Sequence, residues 1–237
     1  MIVPGRYNGP PTSANGGYAS GLLAGLLGGE AEVTLRRPPP LDRELEVVET
    51  DGGVELYDGE TLVAEARPGA GVPLAAPAVV SLEEATEARS RYPGLVHHAY
   101  PTCFTCGPER DDGLAVYPGP VERRQGLVAS TWTPDGDVRP EIVWAALDCP
   151  GGWAVDDFQR EGVLLGRIEA QVGRLPTAGE PHVVVGWPLG EDRRKRHAGS
   201  ALLTASGEVL AASRSTWIVP GGRSLPPPTE RGRAPEA

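Results

Sequence analysis

Long hydrophobic runs are missing from this chain: no apolar stretch reaches the roughly 20 residues that a membrane-spanning helix requires. The opening Met1-Ile2-Val3-Pro4-Gly5 lacks the basic and apolar regions of a secretory signal. Together these absences make the cytoplasm the expected location, with no membrane partner. An excess of positive charge is missing too. The 22 Lys and Arg against 32 Asp and Glu give a net charge of −10, which argues against a general nucleic-acid surface. Any phosphate has to be met by a local basic patch. The three cysteines are too few, and odd in number, for a disulfide framework, so free thiols are expected. Aromatics make up only 5% of the residues, which leaves the core to Leu, Val and Ala. The sequence also has no phosphate-cradling Gly-rich loop of the nucleotide-hydrolase kind and no Ser nucleophile elbow.

What the chain does have is glycine (32) and proline (25), and a short phrase that it uses twice. Asn15-Gly16-Gly17-Tyr18-Ala19 opens an apolar run, and Pro150-Gly151-Gly152-Trp153-Ala154 opens another 135 positions later. Each reads as the start of a helix whose bare N–H groups can hold a carbonyl oxygen or an anion. Strand-like segments with matching punctuation follow both, and the longer interval in the second copy points to an insertion near Arg193. A tandem duplication follows, with one site per half.

The run Gly16 to Leu27 is apolar on nearly every face and ends at Gly28-Gly29, as expected of a helix wrapped by other structure. Strands are expected near residues 31–37, 43–50, 53–58 and 60–67, with hairpin signals at Asp51-Gly52-Gly53 and Asp58-Gly59. Ser81-Leu82-Glu83-Glu84 is a capping-box pattern that starts a connecting helix. In the second half, strands are expected near 113–120, 126–133, 162–174, 181–189, 198–205 and 208–219. A helix is expected to begin at Pro150, capped by Asp148 or Cys149. The resulting domains are a first unit at 1–77, a connection at 78–96, a second unit at 97–220 and a disordered tail at 221–237.

One buried helix followed by antiparallel strands, repeated, resembles the hotdog fold in its double form over roughly residues 1–219. The Gly-Gly helix starts carry this resemblance, as does the Leu147-Asp148 pair before a Gly-Gly. A third element is Cys103-Phe104-Thr105-Cys106-Gly107-Pro108 followed by Gly113-Leu114, which looks like the segment preceding the first strands of phenylacetate-type hotdog thioesterases. The resemblance implies an α+β class: two antiparallel sheets, each wrapped around a central helix, forming a pseudo-dimer. It also implies an acyl-CoA thioesterase, with coenzyme A as part of the substrate in preference to a carrier protein. No separate cofactor is expected, and the chain is expected to pair as a homodimer. An Asp at the second-half helix of double-hotdog acyl-CoA thioesterases looks like a match for Asp148. The Thr and Gln partners of that pattern have no matching position, and Asn15 stands where many hotdog thioesterases have His.

Thioester chemistry needs donors aimed at the carbonyl oxygen and a group that activates water or attacks directly. Gly16, Gly17, Gly151 and Gly152 can supply the donors, or they can simply let helix and sheet pack closely. Asp148, set among Trp144, Ala145, Ala146, Leu147 and Cys149, is the candidate base or nucleophile, or else a helix cap. Asn15 can orient substrate but cannot act as a base. Arg193, Arg194 and Arg196 lie in the one dense basic run, Arg193 to His197, and are candidates for coenzyme A phosphates. That run also reads as a solvated hairpin, and Arg36-Arg37 is a second candidate. Cys103 and Cys106 with His97-His98 upstream make half of a zinc pattern. The second paired module is lacking, so no metal is expected. Two other functions remain open: a non-catalytic binder of an acyl thioester or small apolar ligand, and a hotdog hydratase or dehydratase.

Overall fold

Asn15 starts the first helix, α1 (Gly16–Leu26), because its side-chain Oδ1 accepts the Tyr18 N–H at 2.8 Å and so satisfies one orphan donor of the first turn. Gly29, at φ +107°, stops it by turning back so that its N–H reaches Ala24 O at 2.9 Å. The computed structural model describes residues 1–136, 138–155 and 162–220; the tail expected at 221–237 lies outside them. Most of α1 is buried, but Leu26 is 55% exposed, so the last turn of the helix is not wrapped.

Four strands follow in the first half: β1 (Ala31–Leu35), β2 (Glu46–Thr50), β3 (Gly53–Asp58) and β4 (Thr61–Pro68). The connecting helix α2 (Leu82–Ser90) carries the expected capping box. Ser81 Oγ accepts from Glu84 N and Glu84 Oε2 accepts from Ser81 N. The second half contributes β5 (Gly119–Pro120), β6 (Val128–Trp132), the helix α3 (Pro140–Trp153), β7 (Leu164–Val172), β8 (His182–Asp192), β9 (Lys195–Thr204) and β10 (Val209–Ile218). Of the strand expected at 113–120, only Gly119–Pro120 pairs. Among the described residues no helix is long and apolar enough to cross a membrane.

The ten strands of the described residues join in one antiparallel sheet of order β2-β3-β4-β1-β7-β10-β9-β8-β6-β5, where two sheets were expected. The halves meet at β1 and β7, which pair with Val33 opposite Ile168 and so satisfy two strand edges that would otherwise stand open. The same chain order recurs on either side of this seam. In the second half, β6 precedes α3 and then β7 to β10 line up as β8-β9-β10-β7. In the first, the strand ahead of the helix shrinks to a single bridge, Ile2 with Glu44 just before β2, and β1 to β4 line up as β2-β3-β4-β1. The expected insertion is the longer β8–β9 hairpin, with strands of 11 and 10 residues against 5 and 6 in β2–β3.

Alternation along β8 assigns the faces. Val184 joins the large core around α1 and α3, while Val183 and Val185 join a second core under α2 that includes Ala85, Ala88, Leu203 and Ala212. The two long helices therefore lie together on one face. They approach closely because α1 presents glycine at the crossing: a Cβ on Gly17 would stand 2.5 Å from Trp144 O, and one on Gly21 would stand 2.6 Å from Glu141 Cα.

The second-half helix corrects the sequence reading most. It begins ten residues earlier than expected, with Pro140 in its first turn, and Pro150 lies inside it. A proline there removes one N–H and crowds the preceding turn, which frees carbonyls upstream. Hydroxyls from other elements reach carbonyls of this stretch: Thr105 Oγ1 donates to Ala145 O at 3.0 Å, and Ser200 Oγ donates to Leu147 O. Asp148 is thus an interior helical residue and not a cap. Gly151 and Gly152 sit in the last turn of α3, so they offer no bare N-terminal donors.

Candidate active site

Asp148 projects from α3 onto the first turn of α1, where its Oδ2 accepts the Gly17 N–H at 2.9 Å. The carboxyl group is buried, and among the described residues its Oδ1 has no hydrogen-bond partner within bonding geometry, the Asn15 amide being its polar neighbour. Leaving a carboxyl oxygen buried and unpaired is costly, which makes Asp148 a candidate functional group. Burial pushes the Asp148 pKa up to about 7, against the pull of the Gly17 N–H and the neighbouring Asn15 amide.

Asn15, Gly16 and Asp148 line one cavity of about 230 Å³. Its other walls are mainly apolar, from Leu35, Pro38 and Pro39 in the first half and Val163, Leu165, Trp217 and Ile218 in the second. Both halves therefore build a single pocket at their junction. Asn15 spends its Oδ1 on capping Tyr18 N and aims Nδ2 at Cys103 Sγ, 3.9 Å away. Of the first-turn N–H groups of α1, Gly17 serves Asp148 and Tyr18 serves Asn15. Gly16, the first residue of α1, lines the cavity beside them.

The segment before α1 is fastened to the second half. Arg110, whose side chain is 10% exposed, donates to Asn8 Oδ1 and to Thr102 O, both at 2.9 Å, and Phe104 N donates to Asn8 O at 2.7 Å. These bonds hold the Cys103 turn against the start of α1. Nothing in the sequence pattern pointed to Arg110.

Gly151 and Gly152 do not line the cavity. A Cβ on Gly151 would stand 2.9 Å from Ser215 Oγ, so its role is the close packing of α3 on the sheet. Arg193, Arg194 and Arg196 lie at the β8–β9 hairpin, off the cavity wall, with Arg193 in the turn at φ +54°. Arg196 pairs with Glu191 at 3.3 Å and donates to Arg193 O. The hairpin borders the end of β10 through Val219 N, which donates to Arg194 O at 2.9 Å. Arg36 and Arg37, the second basic candidates, line the cavity directly, and Arg36 also pairs with Glu65 at 2.6 Å.

The sequence reading also missed that Cys149 joins Cys103 and Cys106. All three are buried, and their sulfurs lie within 4.8 Å of one another. Burial raises the Cys106 and Cys149 thiols, while hydrogen bonds from those two hold Cys103 well below the usual thiol range. His98 Nε2 lies 3.3 Å from Cys106 Sγ, and burial lowers this ring to about 4. The one available signal was a third cysteine beside the candidate acid.

No known protein family matches the sequence, and no curated protein does. Solved structures do match over most of the chain. A protein assigned as a thioesterase from Novosphingobium aromaticivorans is similar over 93% of this chain and 94% of its own, with TM-score 0.60 and 11% identity. The tesB protein of Mycobacterium avium subs paratuberculosis is similar over 93% and 91%, with TM-score 0.56 and 13% identity. A protein assigned as thioesterase II from Thermobifida fusca is similar over 88% of each chain, with TM-score 0.52 and 13% identity. At such identities the likeness speaks for the fold alone, and that fold is a hotdog fold.

Proposed function

We propose that this chain is a double hotdog, a pseudo-dimer within one polypeptide, that hydrolyses an acyl thioester of coenzyme A. The observation that carries this reading is the buried Asp148 carboxyl on the wall of the inter-half cavity, with one oxygen on Gly17 N–H and the other without a partner among the described residues. In the proposed reaction Asp148 takes a proton from water as that water adds to the thioester carbonyl. The Gly16 N–H, at the positive end of α1, holds the developing oxyanion. Collapse of the tetrahedral intermediate breaks the C–S bond, and the departing thiolate recovers the proton. Asn15 orients the substrate across the interface between the halves.

The apolar walls suit an acyl group, and the phosphates of coenzyme A then meet Arg36 and Arg37 first, with Arg193 and Arg194 further along the nucleotide. The two halves are unequal in this scheme. The phrase at Asn15 opens a helix beside the acid, while its copy at Pro150 closes one.

The test is release of free thiol from a panel of acyl-CoAs. Turnover of at least one member is the expected result. A rise in melting temperature with coenzyme A, without thiol release from any member, would replace hydrolysis with binding alone. Consumption of an enoyl thioester with its thioester bond intact would replace it with hydration.

A further inference from the structure

Three sulfurs that the proposed hydrolysis does not use lie against the same cavity. Cys103 and Cys106 bracket a tight turn closed by Gly107 N–H, which donates to Cys103 O at 2.8 Å. Only glycine fits at its end, because a Cβ there would stand 2.4 Å from Cys103 N and 2.5 Å from Pro101 O. The third sulfur, Cys149, arrives on α3 from 43 positions further along the chain.

Cys103 and Cys149 Sγ are 3.8 Å apart, and all three sulfurs fall within 4.8 Å of one another. A tetrahedral zinc site with Zn–S bonds of about 2.3 Å places its sulfurs about 3.8 Å apart. The polar groups around the trio point the same way. Tyr100 N donates to His98 Nδ1 at 2.9 Å, which leaves the ring proton on Nε2, 3.3 Å from Cys106 Sγ. Asn15 Nδ2 donates to Cys103 Sγ from another side. Two donors aimed at buried sulfur suit thiolate ligands, which carry charge, far better than thiols, which accept weakly.

We propose that Cys103, Cys106 and Cys149 together bind one thiophilic divalent cation, Zn²⁺, as three thiolates, with His98 and Asn15 as donors to the ligand sulfurs. The ligands bind as thiolates, and the protons that their thiols still hold are released to solvent. The metal ties the Cys103 turn to α3 next to Asp148, and so fixes the junction of the two halves whatever reaction occurs there. Because the ligands are buried, it enters during folding.

The test is metal content after refolding. The full chain is unfolded in denaturant with a chelator, refolded with excess Zn²⁺ or Co²⁺, and freed of unbound ion. One equivalent of zinc is expected. The cobalt form should show the thiolate-to-metal charge-transfer band and the strong visible bands of a tetrahedral thiolate site. Cys106→Ser and Cys149→Ser should lose both signals, while Asp148→Asn should keep them, which separates this site from the proposed hydrolysis. If the serine variants fail to fold, the wild-type chain still decides. Its three thiols should resist a thiol reagent when zinc is bound and react in chain refolded with chelator. Folded wild-type chain that holds no metal under these conditions, or that carries a Cys103–Cys149 disulfide in its place, would overturn the proposal.

Discussion

Gly21 and Gly25 stand one turn apart on α1, and the same substitution to alanine should move stability in opposite directions at the two. In a helix, alanine is favoured over glycine by up to about 1 kcal/mol, so on propensity alone both changes stabilise. A Cβ at Gly25 meets nothing within 4 Å, and the benefit survives there, at about 0.5 kcal/mol because the site lies near the helix end. A Cβ at Gly21 falls 2.6 Å from Glu141 Cα and 2.9 Å from both Glu141 Cβ and Trp144 Cβ. Those atoms belong to the facing helix, so no change of side-chain rotamer relieves the contact and α3 must move. Overpacking of this kind costs roughly 2–3 kcal/mol, which outweighs the propensity gain and leaves Gly21→Ala about 1–2 kcal/mol less stable than wild type. The two variants should therefore differ by about 2 kcal/mol, or roughly 4–8 °C in Tm for a chain of this size. Urea unfolding with a shared m-value measures the difference as a shift in midpoint. If Gly21→Ala proved as stable as Gly25→Ala, the close crossing of the two helices, on which the placement of Asp148 over Gly17 depends, would be refuted.

Two further outcomes follow. Ser81→Ala removes the capping-box acceptor for Glu84 N and should cost about 1 kcal/mol in the same unfolding assay, with no effect on turnover; an unchanged midpoint would contradict the capping role. Arg37→Ala should raise KM for an acyl-CoA several-fold, about 1 kcal/mol for an exposed charge, with kcat unchanged. The double change of Arg193 and Arg194 to Ala should raise it less, and the reverse order would move the phosphate contact to the hairpin.

The positions of the first-half strands and the extents of α1 and α2 were legible because they rest on local signals. Asp58-Gly59, Gly28-Gly29 and Ser81 through Glu84 each fix a turn or a cap within a few residues, and strand boundaries followed from them. The helix around Asp148 was misread because Pro150 carries an equally local signal that tertiary structure overrides. Hydroxyls of Thr105 and Ser200 reach carbonyls just upstream of the proline, and both come from distant segments. Pro140 held the true start signal. Asp148 was recognisable as a charge in apolar surroundings, whereas its partner, the Gly17 N–H, lies 131 positions away in sequence. A shorter separation, 43 positions from Cys106, likewise hid Cys149 from the Cys103–Cys106 pair. Joining of the two halves into one sheet was also not local, since β1 and β7 carry no mark that each is the other's edge.

The repeated Gly-Gly phrase thus proved to be two different structures, and what recurs between the halves is the strand order. One working site, centred on Asp148, is what the proposed function requires. The most direct measurement is the rate of thiol release by Asp148→Asn, an isosteric change, beside wild type on the acyl-CoA that wild type turns over best. Loss of the general base predicts a fall in kcat of about 10²- to 10⁴-fold with the melting transition still cooperative. An unchanged kcat in the folded variant would remove Asp148 from the reaction and contradict the account.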